Sequence, residues 1–317
     1  MAIKFPDIKE KLGLGVGFDL PWGDSFGFDL ETNSPTQRVH RFLKRHREDF
    51  NYGFLSCHPK GRGQLEPHDY FEGFENFFSS APNLEVRALH HTFLNLGAME
   101  DYKKDEIIQF TNALVRRFDL KWINEDLGIW SINGKTLPYP LPPVLTPKGL
   151  HACVENILHY QDQLETPLLV EFPGFTDGTN FFIGKMNAYD FFCDLINQTE
   201  SPVTLDTGHL ISYQWLLGRR GEDLYSDLDR LPLEHCFEIH LSGCQIVQNR
   251  FMDFHHGIIQ DEQIEILERL LPLCPNLRGI TYEDPKFYAD GSLISKADRN
   301  YKRLRKITDN WKTGVPS

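Results

Sequence analysis

Histidine and carboxylate side chains recur at the ends of short apolar segments in this sequence. In chain order they are His90 and His91, Glu125 and Asp126, Glu171, Asp206 and His209, His240, Asp253 and His255, and Glu283 and Asp284. Imidazole and carboxylate ligands together suit Fe, Mn, Zn or Co, and the set is too rich in imidazole for Mg or Ca alone. It contains no cysteine, which argues against a thiolate structural zinc site. The chemistry indicated is that of a metal centre.

These groups outnumber the ligands that one tetrahedral ion needs, and carboxylates gathered at one point raise one another's pKa values unless cations lie among them. Two patterns are especially specific. Asp206-Thr-Gly-His209 places two ligand types beside a glycine, and Glu238-Ile-His240 is followed by Asp253-x-His255. A single strand-end residue such as His91 is more often a hydrogen-bonded polar group. We therefore expect two or three metal ions.

Short apolar strands alternate with amphipathic helices along most of the 317 residues. The predicted strands are Gly13–Leu20, Tyr52–Ser56, Ala88–Leu96, Trp122–Ile129, Leu168–Phe172, Val203–Leu210, Phe237–Leu241 and Leu277–Tyr282. Helices are predicted over Asp101–Phe118, after an N-cap at Thr146 and after a cap at Asp261. This alternation implies a parallel sheet, and eight strands in this length favour a closed (β/α)8 TIM barrel over an open doubly wound sheet. In a barrel the carboxyl ends of the strands converge on one face, which would bring the candidate ligands together.

The whole chain, residues 1–317, is predicted to be one barrel domain with a helical tail at about 295–311. Within it, the proline-rich segment Leu137–Val144 is predicted to be a rigid loop, neither strand nor helix, that forms a lip for the substrate. The tail places Tyr301, Leu304 and Trp311 at helical spacing. The basic residues of the run 302–306, namely Lys302, Arg303, Arg305 and Lys306, are predicted to lie on the opposite face.

Composition excludes several classes of protein. The net charge of −12 argues against a protein that binds nucleic acid through phosphate contacts. No run of about 18 apolar residues predicts a membrane span, and no signal sequence is evident. The six cysteines form no CxxC pair, and no glycine-rich nucleotide-binding motif opens a helix. We expect a cytoplasmic protein with free thiols.

At these residues the chain resembles a divergent member of the DUF692 family, the multinuclear non-heme iron-dependent oxidases typified by the methanobactin-biosynthesis oxidase. The motifs that carry the resemblance are His90–Gly97, Leu137–Pro143, Val170–Pro173, Leu205–His209, Glu238–Gly243, Asp253-x-His255 and Glu283-Asp284. The Asp206-x-x-His209 pattern is also similar to that of the wider xylose-isomerase-like barrels. Ser56-Cys-His58 stands where the family usually has glutamates and an asparagine.

The resemblance implies a xylose-isomerase-like barrel that uses O2 and two or three iron ions, in mixed Fe(II)/Fe(III) states, to oxidise a ribosomally made precursor peptide or a peptide-borne amino acid, often cysteine, in natural-product biosynthesis. The implied ligands are His90, Glu125, Glu171, Asp206, His209, His240, Asp253, His255 and Glu283. Asp126 and Asp284 are expected to orient histidines, and His58 to act as a substitute ligand or proton-transfer group. A small partner protein that recognises the leader peptide is also implied.

Three other functions remain open from the residues themselves. A divalent-metal sugar isomerase or epimerase would use a pair such as Glu171 and Glu283 to move a proton next to a carbonyl. A metal-dependent phosphodiesterase acting on damaged DNA fits the ligand types but not the net charge of −12. A non-enzymatic binding scaffold gives no reason for so many ligand-type residues at strand ends.

Overall fold

A computed structural model describes residues 3–18, 35–57, 67–100, 103–176, 180–255 and 258–314. The strands are β1 Gly13–Phe18, β2 Tyr52–Cys57, β3 Val86–His91, β4 Ile123–Asp126, β5 Ile129–Ile132, β6 Lys135–Leu141, β7 Leu168–Glu171, β8 Val203–Asp206, β9 Cys236–Leu241, β10 Gly243–Val247, β11 Arg250–His255 and β12 Gly279–Glu283. The helices are α1 Pro35–Arg45, α2 His68–Ser80, α3 Lys104–Phe118, α4 Pro147–Gln163, α5 Ala188–Thr199, α6 Thr207–Leu216, α7 Asp261–Leu270 and α8 Ser295–Thr313. Short 3-10 helices span Gly221–Tyr225, Leu228–Arg230 and Leu233–His235.

Eight of these strands form a closed parallel barrel in the order β1-β12-β9-β8-β7-β4-β3-β2. Helices follow the strands and surround the barrel, so the chain has the (β/α)8 TIM-barrel fold that the alternating pattern predicts. The main core lies between strands and helices. A second apolar cluster, which includes Tyr52, Phe54, Trp122 and Phe237, contains side chains of the barrel strands and the residue before β4.

The structure shortens three predicted strands. The predicted strand Ala88–Leu96 ends at His91, and Trp122–Ile129 ends at Asp126. The predicted strand Val203–Leu210 is wrong in its second half, because α6 begins at Thr207. Asp206 is the N-cap of that helix, and its Oδ1 accepts a hydrogen bond of 2.8 Å from the backbone N–H of His209. An aspartate at this place ends a strand and begins a helix in one step.

Two predicted helix starts have different outcomes. Thr146 caps α4 as predicted, since its side chain accepts a hydrogen bond from the backbone N–H of Gly149. Asp261 is the first residue of α7 and not its cap. The cap is Gln260, which forms a capping box with Gln263. The difference is one residue, within the usual uncertainty of a helix end.

The proline-rich segment corrects a prediction, because part of it is a strand. Strand β6 pairs antiparallel with β5 in a separate two-stranded hairpin. Asn133 and Gly134 form the turn with positive φ values of 51° and 68°, as a type I′ turn requires. Prolines are tolerated there because a strand of a two-stranded sheet is an edge strand. The hairpin follows the carboxyl end of β4, so it lies at the end of the barrel where the strand-end residues converge.

The predicted tail is the eighth helix of the barrel. Tyr301, Leu304 and Ile307 of α8 are buried against the core. The Tyr301 hydroxyl donates a 2.6 Å hydrogen bond to Asp49, which follows α1. Among the described residues, no helix combines the length and the apolar composition needed to cross a bilayer.

Candidate metal centre

Ten side chains from six barrel strands and the segments that follow them converge at the carboxyl end of the barrel. They form five overlapping groups whose possible ligand atoms lie within 4.8 Å of one another. The groups are His90, His240 and Glu283; His209, Asp253 and His255; Glu171, Asp206, His240 and Glu283; His90, Asp126 and Glu171; and His255, Glu283 and Asp284. Because they share members, the groups form one continuous centre with room for more than one ion.

Strand alternation decides which residues enter this centre. His90 pairs in register with Asn124, and Asp126 pairs with Glu171. Since successive side chains of a strand point to opposite faces, Asn124 and Asp126 share one face of β4, and Glu125 lies on the other. The facing residue on β3 is His91, which contacts Thr111 of the surrounding helix α3.

Glu171 lies at the middle of the centre. One of its oxygens, Oε2, is 3.2 Å from Nε2 of His90 and 3.3 Å from Nδ1 of His240. The other, Oε1, is 3.6 Å from Nδ1 of His209. Asn124 donates a hydrogen bond from its side-chain amide to Oε2. Glu171 is in contact with three imidazoles and belongs to two of the five groups that could hold an ion.

His209 is aimed into the centre by its own backbone and its neighbours. The Asp206 cap holds its N–H, and its Nδ1 lies 2.7 Å from the carbonyl oxygen of Phe172. Donation from Nδ1 to that carbonyl leaves Nε2 facing Asp253, whose Oδ2 is 3.5 Å away. Gly208 is required here, because a Cβ would lie 2.8 Å from Cys244 Sγ and 2.9 Å from Asp253 Oδ2.

The hairpin of β10 and β11 supplies two possible ligands, the buried Asp253 and the partly exposed His255. Ser242 donates a 3.1 Å hydrogen bond to Oδ1 of Asp253, which leaves Oδ2 toward His209. His255 has a left-handed backbone with φ of 49°, and its Nδ1 lies 3.6 Å from Asp284 Oδ2. Its side chain is 23% exposed, whereas that of Glu283 is 1% exposed. His255 therefore marks the open side of the centre.

Burial and mutual contact shift the pKa values of these groups strongly. Burial by itself lowers the pKa of His90. The neighbouring carboxylates of Glu171, Glu283 and Asp126 outweigh this effect and raise the pKa to about 9. Burial, reinforced by Glu171, raises the pKa of Asp126 to about 7. Burial also raises the pKa of Asp206 to about 7, with Asp253 adding to the effect. Buried carboxylates this close together stay ionised only if positively charged groups, such as protonated histidines or metal ions, lie among them.

The donor set fits bound metal ions. Several buried atoms aimed into the centre have no hydrogen-bond partner among the described residues: His90 Nδ1, Asp126 Oδ1, Asp206 Oδ2, His240 Nδ1, Asp253 Oδ2, His255 Nδ1 and Glu283 Oε1. Buried polar atoms are nearly always satisfied, so such a concentration at one point is typical of a ligand site. Nitrogen and oxygen donors in this proportion suit iron, manganese, cobalt or zinc.

Eight of the nine residues expected as ligands lie in the centre, namely His90, Glu171, Asp206, His209, His240, Asp253, His255 and Glu283. Glu125 lies apart from them. Its two oxygens accept hydrogen bonds of 2.6 and 2.7 Å from the backbone N–H groups of Leu94 and Asn95, and it holds the loop after β3. Burial raises the pKa of Glu125 to about 8.

Three residues were expected to act beside the ligands. Asp126 and Asp284 lie among the possible ligands, and each also lies near a histidine: Asp126 Oδ1 is 3.6 Å from Nδ1 of His209, and Asp284 Oδ2 is 3.6 Å from Nδ1 of His255. His58 falls outside the described residues. The sequence analysis also missed Asn124, although its place two residues before Asp126 puts it on the same face of β4.

Comparison with known proteins gives this geometry a context. A family model described as the RiPP precursor modification enzyme MbnB/TglH/ChrH matches residues 73–296 of the chain. The chain belongs to this family. The MbnB/TglH/ChrH proteins are enzymes that modify precursor peptides, and the resemblance noted in the sequence is thereby confirmed.

Relatives within this group are distant. A UPF0276 protein of Vibrio parahaemolyticus is 26% identical over 253 residues, covering 74% of this chain and 84% of the relative. A UPF0276 protein of Caulobacter vibrioides is 25% identical over 174 residues, covering 55% of this chain. The match spans 60% of the length of that relative.

Solved structures support the fold alone. A candidate sugar phosphate isomerase/epimerase from Anabaena variabilis has a TM-score of 0.50 at 10% identity, covering 98% of this chain and 100% of that one. The catalytic domain of a β-amylase from Paenibacillus polymyxa has a TM-score of 0.52 at 6% identity, covering 95% of this chain and 99% of that one. Together with the closed parallel barrel, these likenesses show the TIM-barrel fold of the chain.

Proposed function

We propose that this chain is a multinuclear non-heme iron oxidase that uses O2 to modify a residue, often cysteine, of a ribosomally made precursor peptide. The observation that carries the proposal is the continuous buried cluster of imidazoles and carboxylates in a chain of the MbnB/TglH/ChrH family. The shared members Glu171, His240 and Glu283 favour two or three neighbouring ions over one isolated ion.

Bound iron would supply the redox chemistry and the activation of O2, while the chain's side chains hold and insulate the centre. His90, Asp126, Glu171, Asp206, His209, His240, Asp253, His255, Glu283 and Asp284 would hold the ions. Phe172 and Ser242 orient His209 and Asp253 through hydrogen bonds. Among the described residues of the centre, His255 has the most exposed side chain, and the substrate side chain would enter beside it.

The rim of the barrel mouth supports a peptide substrate. Large apolar side chains are exposed on loops that follow the carboxyl ends of the strands, including Ile132 at 41%, Tyr139 at 55%, Phe181 at 55% and Ile183 at 60%. Exposed apolar groups clustered around an opening are typical of a surface that binds another chain. They support the proposal that the β5–β6 hairpin forms the lip of the substrate entrance.

A small partner protein that recognises the leader peptide belongs to this proposal. The described chain is occupied by the barrel strands, their helices and two hairpins, and its last helix α8 packs on the barrel. In this proposal the barrel would hold the metal centre and the partner would hold the leader.

The test is anaerobic loading of the purified chain with Fe(II), followed by elemental analysis, absorption spectroscopy and O2 uptake with a cysteine-bearing precursor peptide. We expect two or three iron equivalents, a ferric charge-transfer band and peptide-dependent O2 consumption that rises with the partner present. Tight binding of colourless Zn, Mn or Mg, with no O2 uptake on any peptide, would contradict the oxidase and favour a sugar isomerase or epimerase.

A further inference from the structure

A buried carboxylate lies directly below the metal centre, inside the barrel. Glu238 stands two residues before His240 in β9, so both side chains point into the barrel. Thr204 pairs in register with Glu238, and Asp206 pairs with His240 one layer higher. Glu238 is fully buried and belongs to none of the five candidate ligand groups of the described chain. Glu238 approaches the centre from the interior of the barrel, through its contact with His240.

Three donors from three other parts of the barrel wall hold Glu238 in place. The hydroxyl groups of Tyr52 and Thr281 lie 3.0 and 2.5 Å from its Oε1. The indole N–H of Trp122 donates a 2.9 Å hydrogen bond to its Oε2. All three partners are fully buried. The carboxylate accepts all three of these hydrogen bonds, which fix the orientation of the Glu238 side chain.

The two ring nitrogens of His240 face opposite ways. Nδ1 faces the centre, 3.3 Å from Glu171 Oε2 and 3.6 Å from Glu283 Oε2. Nε2 faces the interior of the barrel and lies 3.3 Å from Oε1 of Glu238. The ring of Phe54 stacks on the imidazole at a centroid distance of 5.2 Å and limits its rotation. The ring is therefore held with Nδ1 toward the candidate metal centre and Nε2 toward Glu238.

We propose that Glu238 is the positioning residue of the metal centre: it keeps the proton of His240 on Nε2, so that the lone pair of Nδ1 is directed at a metal ion. A carboxylate behind a ligating histidine fixes its tautomer and raises its basicity, and removal of such a partner typically weakens metal binding about 10- to 100-fold. The inference rests on the proposed metal centre and adds to it the residue that orients one of its ligands.

The test compares two variants with the same chemical change. Glu238→Gln keeps the size of the side chain but removes the charge below His240. Glu125→Gln makes the same change at a buried carboxylate of the barrel wall that lies outside the centre. Anaerobic titration with Fe(II) alone, followed by calorimetry, is expected to show about 10- to 100-fold weaker binding at one site in Glu238→Gln. Glu125→Gln should bind as the wild type does.

Equal iron affinity in folded Glu238→Gln and wild type would overturn the inference. If the wild type itself binds no metal ion, the proposed metal centre fails, which is a different result. If Glu238→Gln does not fold, the tautomer is read in the wild type by nitrogen-15 NMR of histidine-labelled protein loaded with Zn(II), with His240→Gln used for assignment. A proton on Nε2 and a metal shift on Nδ1 support the inference, and the reverse assignment refutes it.

Discussion

At the residue scale, the role of each acid follows from the face of the strand on which it lies. Asp126 and Glu125 are neighbours in sequence, yet Asp126 lies in the metal centre and Glu125 lies behind it with His91, 3.4 Å from the imidazole Nδ1. Asp206 has two functions at once, since Oδ1 caps α6 and Oδ2 faces the centre. These differences predict distinct results for substitutions of chemically similar residues.

Substitution of Asp206 separates its two functions. Asp206→Asn retains an oxygen that caps α6 but loses the charge, whereas Asp206→Ala loses both. We expect both variants to lose at least one bound metal ion, and Asp206→Ala to be less stable than Asp206→Asn by about 1 kcal/mol because the cap is gone. Elemental analysis and chemical denaturation measure the two effects. Full metal occupancy in either folded variant would remove Asp206 from the ligand set.

Glu125→Gln should have the opposite profile. Its carboxylate accepts two backbone N–H hydrogen bonds at full burial, so the amide leaves one of them poorly satisfied. We expect a loss of about 1–3 kcal/mol in the free energy of unfolding, with the metal content unchanged. Thermal denaturation and elemental analysis test this together. Loss of a metal ion from the folded variant would return Glu125 to the centre.

At the element scale, the loops after the barrel strands form the working end of the molecule. The segment between β6 and α4 and the segment between β7 and α5 are linked by a bridge between Leu145 and Gly184, which holds these two parts of the rim together. Gly184 is needed there, because a Cβ would lie 2.1 Å from the Leu145 carbonyl oxygen. The exposed apolar side chains are thus carried on a supported rim.

Polar substitution on this rim should affect the substrate and not the fold. Tyr139→Ser and Phe181→Ser remove apolar groups that are each 55% exposed, so we expect unchanged stability and metal content but a higher KM for the precursor peptide. Leu158→Ser, at 36% exposure on helix α4, is the matched control with no effect on KM. Steady-state kinetics with the precursor peptide measure the KM of each rim variant and of the control. An unchanged KM in both rim variants would show that the peptide binds elsewhere.

At the scale of the whole molecule, the barrel gathers ligands that are far apart in sequence, from His90 to Asp284. No short segment of the described chain supplies a complete group of possible ligands, so metal binding would require the folded barrel. A ligand that binds the folded state alone stabilises it by RT ln(1 + [L]/Kd). The stability of the molecule and the occupancy of its centre would therefore be coupled.

Metal removal should lower the stability of the barrel. With free Fe(II) at 100 times its Kd, the wild type is expected to gain about 2.7 kcal/mol over the chelated protein. His240→Ala should gain less, because one site has lost a shared ligand. Anaerobic thermal scans with and without chelator measure the difference. An identical midpoint for metal-loaded and chelated wild type would contradict a metal centre held by these residues.

Much of the fold and of the centre follows from the amino-acid sequence by itself. Alternating strands and helices predict the parallel barrel, and a barrel brings strand-end residues to one face, so eight ligand candidates from His90 to Glu283 could be named in advance. The β5–β6 hairpin was not predicted, although the Asn-Gly pair at 133–134 is a sequence signal that could have indicated it.

Only the tertiary structure decided the rest. Whether Glu125 or Asp126 faces the centre depends on the register of β4 against β7, which long-range pairing sets and local sequence does not. The end of β8 at Asp206 depends on an α6 start that is stabilised by packing as well as by its cap. The place of Glu238 beneath His240 arises because side chains from three other parts of the barrel wall, Tyr52, Trp122 and Thr281, meet around it. Such contacts join residues as much as 186 positions apart, and they exist only once the barrel has closed.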